Sequence, residues 1–162
     1  MYTHILVALD GSETAEQVLP HVEALVEKFG AAVTLLRVTT PPSLTVTPAI
    51  GLPMAAPADL YTAEQMTEAL EEEQRDAAAY LRSVGDRLRA RGERVDEVVA
   101  EGHPAQVILE RAEAVGADLI AMTTHGRSGL QRLFLGSVAE EVVRRASCAV
   151  LLVRARHDGA PA

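Results

Sequence analysis

Gly126, Gly136 and Ser137 stand near the end of the chain in the stretch DLIAMTTHGRSGLQRLFLGSVAEEVV, residues 118–143, where an apolar run gives way to a helical pattern. A helix that begins at Gly136 and Ser137 presents unpaired N–H groups and the positive end of its dipole, a setting that favours phosphate. Glycine at 136 lets a ligand approach the backbone closely, and Gly126, earlier in the same stretch, can supply N–H groups from the other side. Ser137 suits a plain N-cap equally well, and Gly126 and Gly129 suit simple turns. Arg127 and Arg132 are either surface charges or groups that swing toward an anion. A second candidate is Asp10 in ALDGSETA, which ends the first apolar run just ahead of a helix. A carboxylate there can accept two hydrogen bonds from a ribose, while Asp10 and Ser12 serve equally well as helix caps.

Other chemistries lack their residues. No G-x-x-x-x-G-K-S/T stretch exists and no G-x-G-x-x-G follows a strand, so neither a Walker loop nor a dinucleotide fingerprint is present. His103 and His125 have no His or Cys partner at metal-ligand spacing, and His103 suits a helix cap before Pro104. Ser128 in GRSGL does not form a nucleophile elbow. His125 and Asp10 are candidate general bases but neither is clearly placed, so the residues offer little for catalysis. Cys148, the single cysteine, opens the run CAVLLV and is expected to be an inert core thiol.

The elements that must position these residues are legible from periodicity. Near-continuous apolar runs at 4–9, 33–38, 118–123 and 148–153, with a weaker one at 95–100, read as strands covered on both faces. Between the first two, Ala15, Val18, Leu19, Val22, Leu25, Val26 and Phe29 fall at helical spacing. Ser12 is the cap, Gly30 the stop and Pro20 a kink. A longer helix is predicted over 62–91, opened by a Thr62/Gln65 capping box, with its acidic run on the solvated face. Pro104 starts another that Gly116 stops. SVAEEVVRRA makes the last, with Ser137 and Glu140 at capping-box spacing. Alternating strands and helices imply an α/β three-layer sandwich with a five-stranded, mostly parallel sheet. Residues 39–59 hold Pro41, Pro42, Pro48, Pro53 and Pro57 and no charge before Asp59, so they read as an irregular loop. Residues 155–162 read as a frayed tail and 1–154 as one domain.

Composition narrows the partners. The 162 residues carry 15 Lys plus Arg against 23 Asp plus Glu, a net charge of −8, with two Phe, three Tyr and no Trp. Acidic surfaces with few aromatic platforms argue against nucleic acid as a partner. No basic n-region or membrane-length apolar run occurs, which favours the cytoplasm and argues against a membrane partner.

The segments ILVALDGSETA, EGHPAQVILERA and THGRSGLQRLFLGSVAEEVVRRASCAVLLV together resemble the universal stress protein family, over most of the chain outside 39–59 and the tail. The ATP-binding branch of that family carries Gly, two residues, Gly, nine residues, then Gly followed by Ser or Thr. Gly126, Gly136 and Ser137 match this pattern, and Thr123 stands at the first glycine position. The resemblance implies a Rossmann-like, adenine nucleotide alpha hydrolase-like fold and a stress-response protein that binds ATP with Mg or Mn. Asp10 matches the ribose-contacting acid, Ala8 lies beside the adenine pocket, and Val38 matches the residue whose backbone holds the adenine edge. Phosphates would sit on Gly126, Gly136, Ser137 and the N–H of Val138, near Thr123 and Arg127. The resemblance also implies a homodimer through strand 148–153. A slow ATPase or phosphotransfer protein, or a nucleotide-free interaction module, remains open as an alternative. If φ at Gly136 is negative, a branched side chain there is expected to block phosphate with little change in stability.

Overall fold

β1 (His4–Ala8) buries Ile5, Leu6 and Val7 completely, so both faces of the strand are withdrawn from water. The computed structural model describes residues 1–40, 63–124 and 136–155, with 63–66 described by backbone alone. On either side of β1 lie β2 (Ala32–Thr39) and β4 (Leu119–Thr123), with β3 (Val95–Glu101) and β5 (Ala149–Val153) at the edges. The order is β3-β2-β1-β4-β5 and every pairing is parallel, so the expected sheet is present and uniformly parallel. The 39–59 loop beyond Thr40, the Thr62/Gln65 capping box, Gly126 and Arg127 with their neighbours in 125–135, and the tail beyond Ala155 lie outside the description.

Parallel strands require crossovers, and the crossovers cover both faces. On one face Ile5, Val7, Val33 and Leu35 pack against Val22 and Val26 of α2 (Leu19–Phe29) and Leu81 and Val84 of α3 (Ala63–Arg89). On the other, Leu6, Leu36 and Ile120 meet Ile108 of α4 (Pro104–Ala114) and Val142 of α5 (Ser137–Arg145). Asp118 holds the amino ends of the two central strands together by accepting from Thr3 N and Thr3 Oγ1 at 2.7 and 2.6 Å and from His4 N at 3.3 Å. Partial burial opposes its charge, yet these bonds keep its carboxyl below the usual carboxylate range. Among the described residues no helix is long and apolar enough to cross a membrane.

The helix expected from Ser12 to Gly30 is broken into α1 (Glu13–Glu16) and α2 instead of being bent. Pro20 has no N–H for the Glu16 carbonyl and its ring would collide with that group. Gln17 and Val18 accordingly bond back only three residues, to the Thr14 and Ala15 carbonyls, each at 3.3 Å. The two flanking signals act as expected: Ser12 Oγ accepts from Ala15 N at 3.0 Å, and Gly30 closes α2 in the left-handed conformation at φ +67°.

Gly85 sits inside α3, where glycine weakens a helix, because the helix passes directly over β3. A Cβ there would overlap Oε1 of Glu97, which is ion-paired with Arg89 at 2.7 Å. Gly85→Ala is therefore expected to gain less than the helix-propensity difference of about 1 kcal/mol, because the added methyl must turn the Glu97 carboxylate aside. In a Glu97→Ala background the same change should raise the melting temperature by more. Thermal unfolding of the four proteins of this cycle reads the difference, and equal effects in both backgrounds would remove Glu97 as the cause.

Candidate functional site

The strand order reverses between β1 and β4: from β1 the chain crosses to β2 on one side, and β4 lies on the other. Loops leaving adjacent strands in opposite directions leave a crevice beyond their carboxyl ends. A cavity of about 290 Å³ lies there. Its strand side is made by Ala8, Leu9 and Asp10 from β1 and its exit, and by Met122, Thr123 and Thr124 from β4. Leu36 and Val38 of β2 and Pro104 and Ile108 of α4 form an apolar flank, and the first residues of α5 close the remaining side. Thus Ala8, Asp10, Val38, Thr123, Gly136, Ser137 and Val138, separated in sequence, all border one cavity.

Asp10 has a definite local task. Its Oδ1 accepts from Ser12 N at 3.0 Å and from Ser12 Oγ at 2.6 Å, closing a tight turn through Gly11 at φ +84°. Ser12, not Asp10, then caps α1. The turn holds the Asp10 carboxylate at the carboxyl end of the sheet, on the cavity wall.

At the opposite wall the cap is one residue earlier than expected. Gly136 is the N-cap of α5 and Ser137 the first helical residue, with no side-chain cap bond. The first intrahelical bond runs from Glu140 N to Gly136 O at 2.9 Å, so the Ser137/Glu140 capping box does not form. The N–H groups of Ser137, Val138 and Ala139 have no intrahelical acceptor, which leaves the positive helix end facing the cavity. The N–H of Gly136, expected to be available to an anion, instead donates to the Thr124 carbonyl at 2.9 Å. Gly136 has φ −54°, so it is not glycine for left-handed backbone. A Cβ there would stand 2.9 Å from the Thr124 oxygen, closer than a Cβ approaches a carbonyl oxygen. The expectation that a branched residue at Gly136 would leave stability little changed is therefore overturned: the site is a tight backbone junction before any ligand arrives.

The remaining sequence candidates are placed plainly. His103 occupies the N-cap of α4 without a side-chain cap bond. Cys148 is half-buried, one residue before β5, and burial raises its thiol pKa, in keeping with an inert group. Among the described residues no three His, Cys, Asp or Glu side chains are grouped to hold a metal. Periodicity did not single out Leu36, Pro104, Ile108 and Met122 as cavity residues. They fall in runs that read as core, and the available signal was their nearness to a strand end or a helix start.

A parallel, doubly wound α/β sheet with a cavity where its strand order reverses belongs to the class of α/β ligand-binding folds. Within that class the chain belongs to the universal stress protein family, whose pattern it matches over residues 1–154. It is 35% identical over 154 residues to universal stress protein MJ0531 of Methanocaldococcus jannaschii, covering 95% of this chain and 83% of that one. The solved structure of hypothetical protein MJ0577 superposes with a TM-score of 0.80 at 28% identity, covering 98% of this chain and 99% of that one. A universal stress protein solved in complex with cAMP has the same fold, with a TM-score of 0.63 at 23% identity over 96% of this chain and 98% of its own.

Gly136→Ala is expected to destabilise the ligand-free protein by about 1 kcal/mol or more, since the added methyl must push the Thr124 carbonyl away. Denaturant titration without nucleotide measures this, and an unchanged midpoint would show that the junction yields freely.

Proposed function

We propose that the cavity binds an adenine nucleotide, ATP accompanied by Mg or Mn, and that occupancy changes the state of a cytosolic stress-response protein. The observation that carries this reading is the mixed lining of the cavity. Leu36, Val38, Ile108 and Met122 offer an apolar slot for a base, and the open N-terminus of α5 offers donors to an anion. Asp10 on the same lining adds an acceptor suited to ribose hydroxyls. Thr123 is buried at the carboxyl end of β4, so its methyl and hydroxyl narrow the approach that a glycine would leave open. Ser137 and Val138 would hold phosphate through their N–H groups, with Gly136 shaping the approach. Gly126 and Arg127 are proposed to complete the phosphate contacts on sequence grounds alone. The metal would be carried by the phosphates themselves. The cAMP complex of a relative with this fold supports the nucleotide class.

Calorimetry should give micromolar ATP affinity, on the order of −7 to −8 kcal/mol, and weaker GTP binding because backbone groups near Val38 would read the adenine edge. Equal affinities would remove the adenine assignment. Asp10→Asn is the sharper probe, since an amide oxygen can still accept from Ser12 and keep the turn while the charge is lost. ATP binding should weaken by roughly 1.5 kcal/mol or more at a nearly unchanged melting temperature. Unaltered affinity would reduce Asp10 to a turn residue.

We also infer a homodimer through β5. This edge strand is AVLLV, and Val150–Val153 remain half-exposed beside the outward-facing Val143 of α5. An apolar edge invites pairing with another copy about a two-fold axis. Val150→Lys and Leu152→Lys should shift sedimentation from dimer to monomer, and dimers in both variants would place the contact elsewhere.

A further inference from the structure

Arg37 lies in the middle of an apolar run, AVTLLRVT, and neighbours the cavity residue Val38, yet alternation along β2 sends its side chain to the opposite face of the sheet. It is only 9% exposed there. Its guanidinium is held between two walls. On one side Cζ lies 5.4 Å from the centre of the Tyr80 ring on α3. On the other is Gly11, where a Cβ would stand 2.8, 3.0 and 3.3 Å from Nη1, Cζ and Nη2, so the plane of the group is pressed against the Gly11 backbone. Gly11 is thus glycine for two independent reasons, its φ of +84° and the absence of room.

Among the described residues the guanidinium makes no hydrogen bond or ion pair, so the strand carries a buried cation where Met or Leu would pack without a desolvation cost. Stacking on Tyr80 offsets part of that cost. Carboxylates lie in the same surroundings: the Tyr80 hydroxyl is raised in pKa first by burial, then by Glu16 and also by Asp10, while Arg37 acts in the opposite sense. Arg37, Asp10 and Glu16 therefore share one electrostatic neighbourhood under the Asp10–Gly11–Ser12 turn.

We infer that Arg37, clamped between Tyr80 and Gly11, is a positioning residue that supports this turn from beneath and aims the Asp10 carboxylate at the ribose of the bound nucleotide. The inference rests on the nucleotide reading above and goes beyond it, because Arg37 touches no part of the cavity. Replacing the flat guanidinium with a flexible side chain removes the plate that backs Gly11, one peptide from Asp10, while the base slot on the other face of the sheet keeps all its walls.

The test is calorimetric titration of wild type, Arg37→Met and Tyr80→Leu with ATP and with 2′,3′-dideoxyATP, alongside thermal unfolding of each protein. Wild type should prefer ATP on the order of tenfold, about one charge-assisted hydrogen bond. In Arg37→Met that preference should collapse toward unity through loss of ATP affinity, with dideoxyATP binding nearly unchanged. Tyr80→Leu, which removes the other wall, should move the ratio in the same direction. A folded Arg37→Met or Tyr80→Leu protein that keeps the wild-type ratio overturns the inference, and so does an equal loss of both ligands, which would mark a purely structural role. If wild type binds neither nucleotide, the nucleotide reading itself fails and takes this inference with it. If it binds both equally, only the ribose-directed role of Asp10 and Arg37 is lost.

Discussion

Burial of β1 on both faces is the constraint from which the rest of the molecule follows. Ile5, Leu6 and Val7 have no contact with water, and the backbone between them is satisfied by β2 on one side and β4 on the other. A strand in that position needs cover above and below, and parallel neighbours need crossovers long enough to provide it. The chain meets both demands at once by sending α1, α2 and α3 over one face and α4 and α5 over the other. The crevice between the β1 and β4 exits is a by-product of that division, since neighbouring strands send their following segments in opposite directions.

The walls of that crevice are set by close backbone approaches rather than by large side chains. Thr124 is the knot: its N–H donates to the Val153 carbonyl at 3.0 Å, and its own carbonyl accepts from Gly136 N at 2.9 Å. One residue thereby joins the ends of β4 and β5 to the start of α5. The consequence is a helix N-terminus aimed at the cavity from a fixed position, with its open donors beginning at Ser137. Across the gap the Asp10–Ser12 turn is equally specific, because Gly11 must adopt a left-handed conformation and leave room for Arg37. Small residues therefore shape both sides of the cavity, and neither glycine is interchangeable with alanine.

The two edges of the sheet differ in kind. β3 carries Asp96, Glu97 and Glu101 among its apolar residues, and acidic side chains on an exposed edge discourage a further strand. Glu97 is also drawn inward by Arg89, which ties the edge to α3. β5 has no charged residue at all. The difference gives one edge charges that deter a further strand and leaves the other without them, independently of what the cavity binds.

Much of this was written in local sequence. Five apolar runs, the helical stripes between them, Ser12 as a cap, Pro104 as a helix start and Gly30 as a stop depend on periodicity and on single-residue backbone preferences, which short segments carry by themselves. The motif glycine, serine and acid were singled out by resemblance to a family pattern, since each alone reads equally well as a turn or a cap. What sequence left undetermined were relations between segments distant along the chain. The strand order is one, since any two parallel strands present the same pattern to a reader. The partner of the Gly136 N–H is another, because only packing of α5 against the end of β4 brings Thr124 within reach. The helical stripe of α3 does not show that Glu97 of β3 lies against Gly85. The apolar run of β2 does not show that Tyr80 and Gly11, 43 residues later and 26 earlier by the numbering, stand on either side of Arg37. Local preference fixes what each segment becomes. Which backbone atom or charge stands opposite which is decided by the three-layer packing, because only there do residues far apart in sequence compete for the same few ångströms.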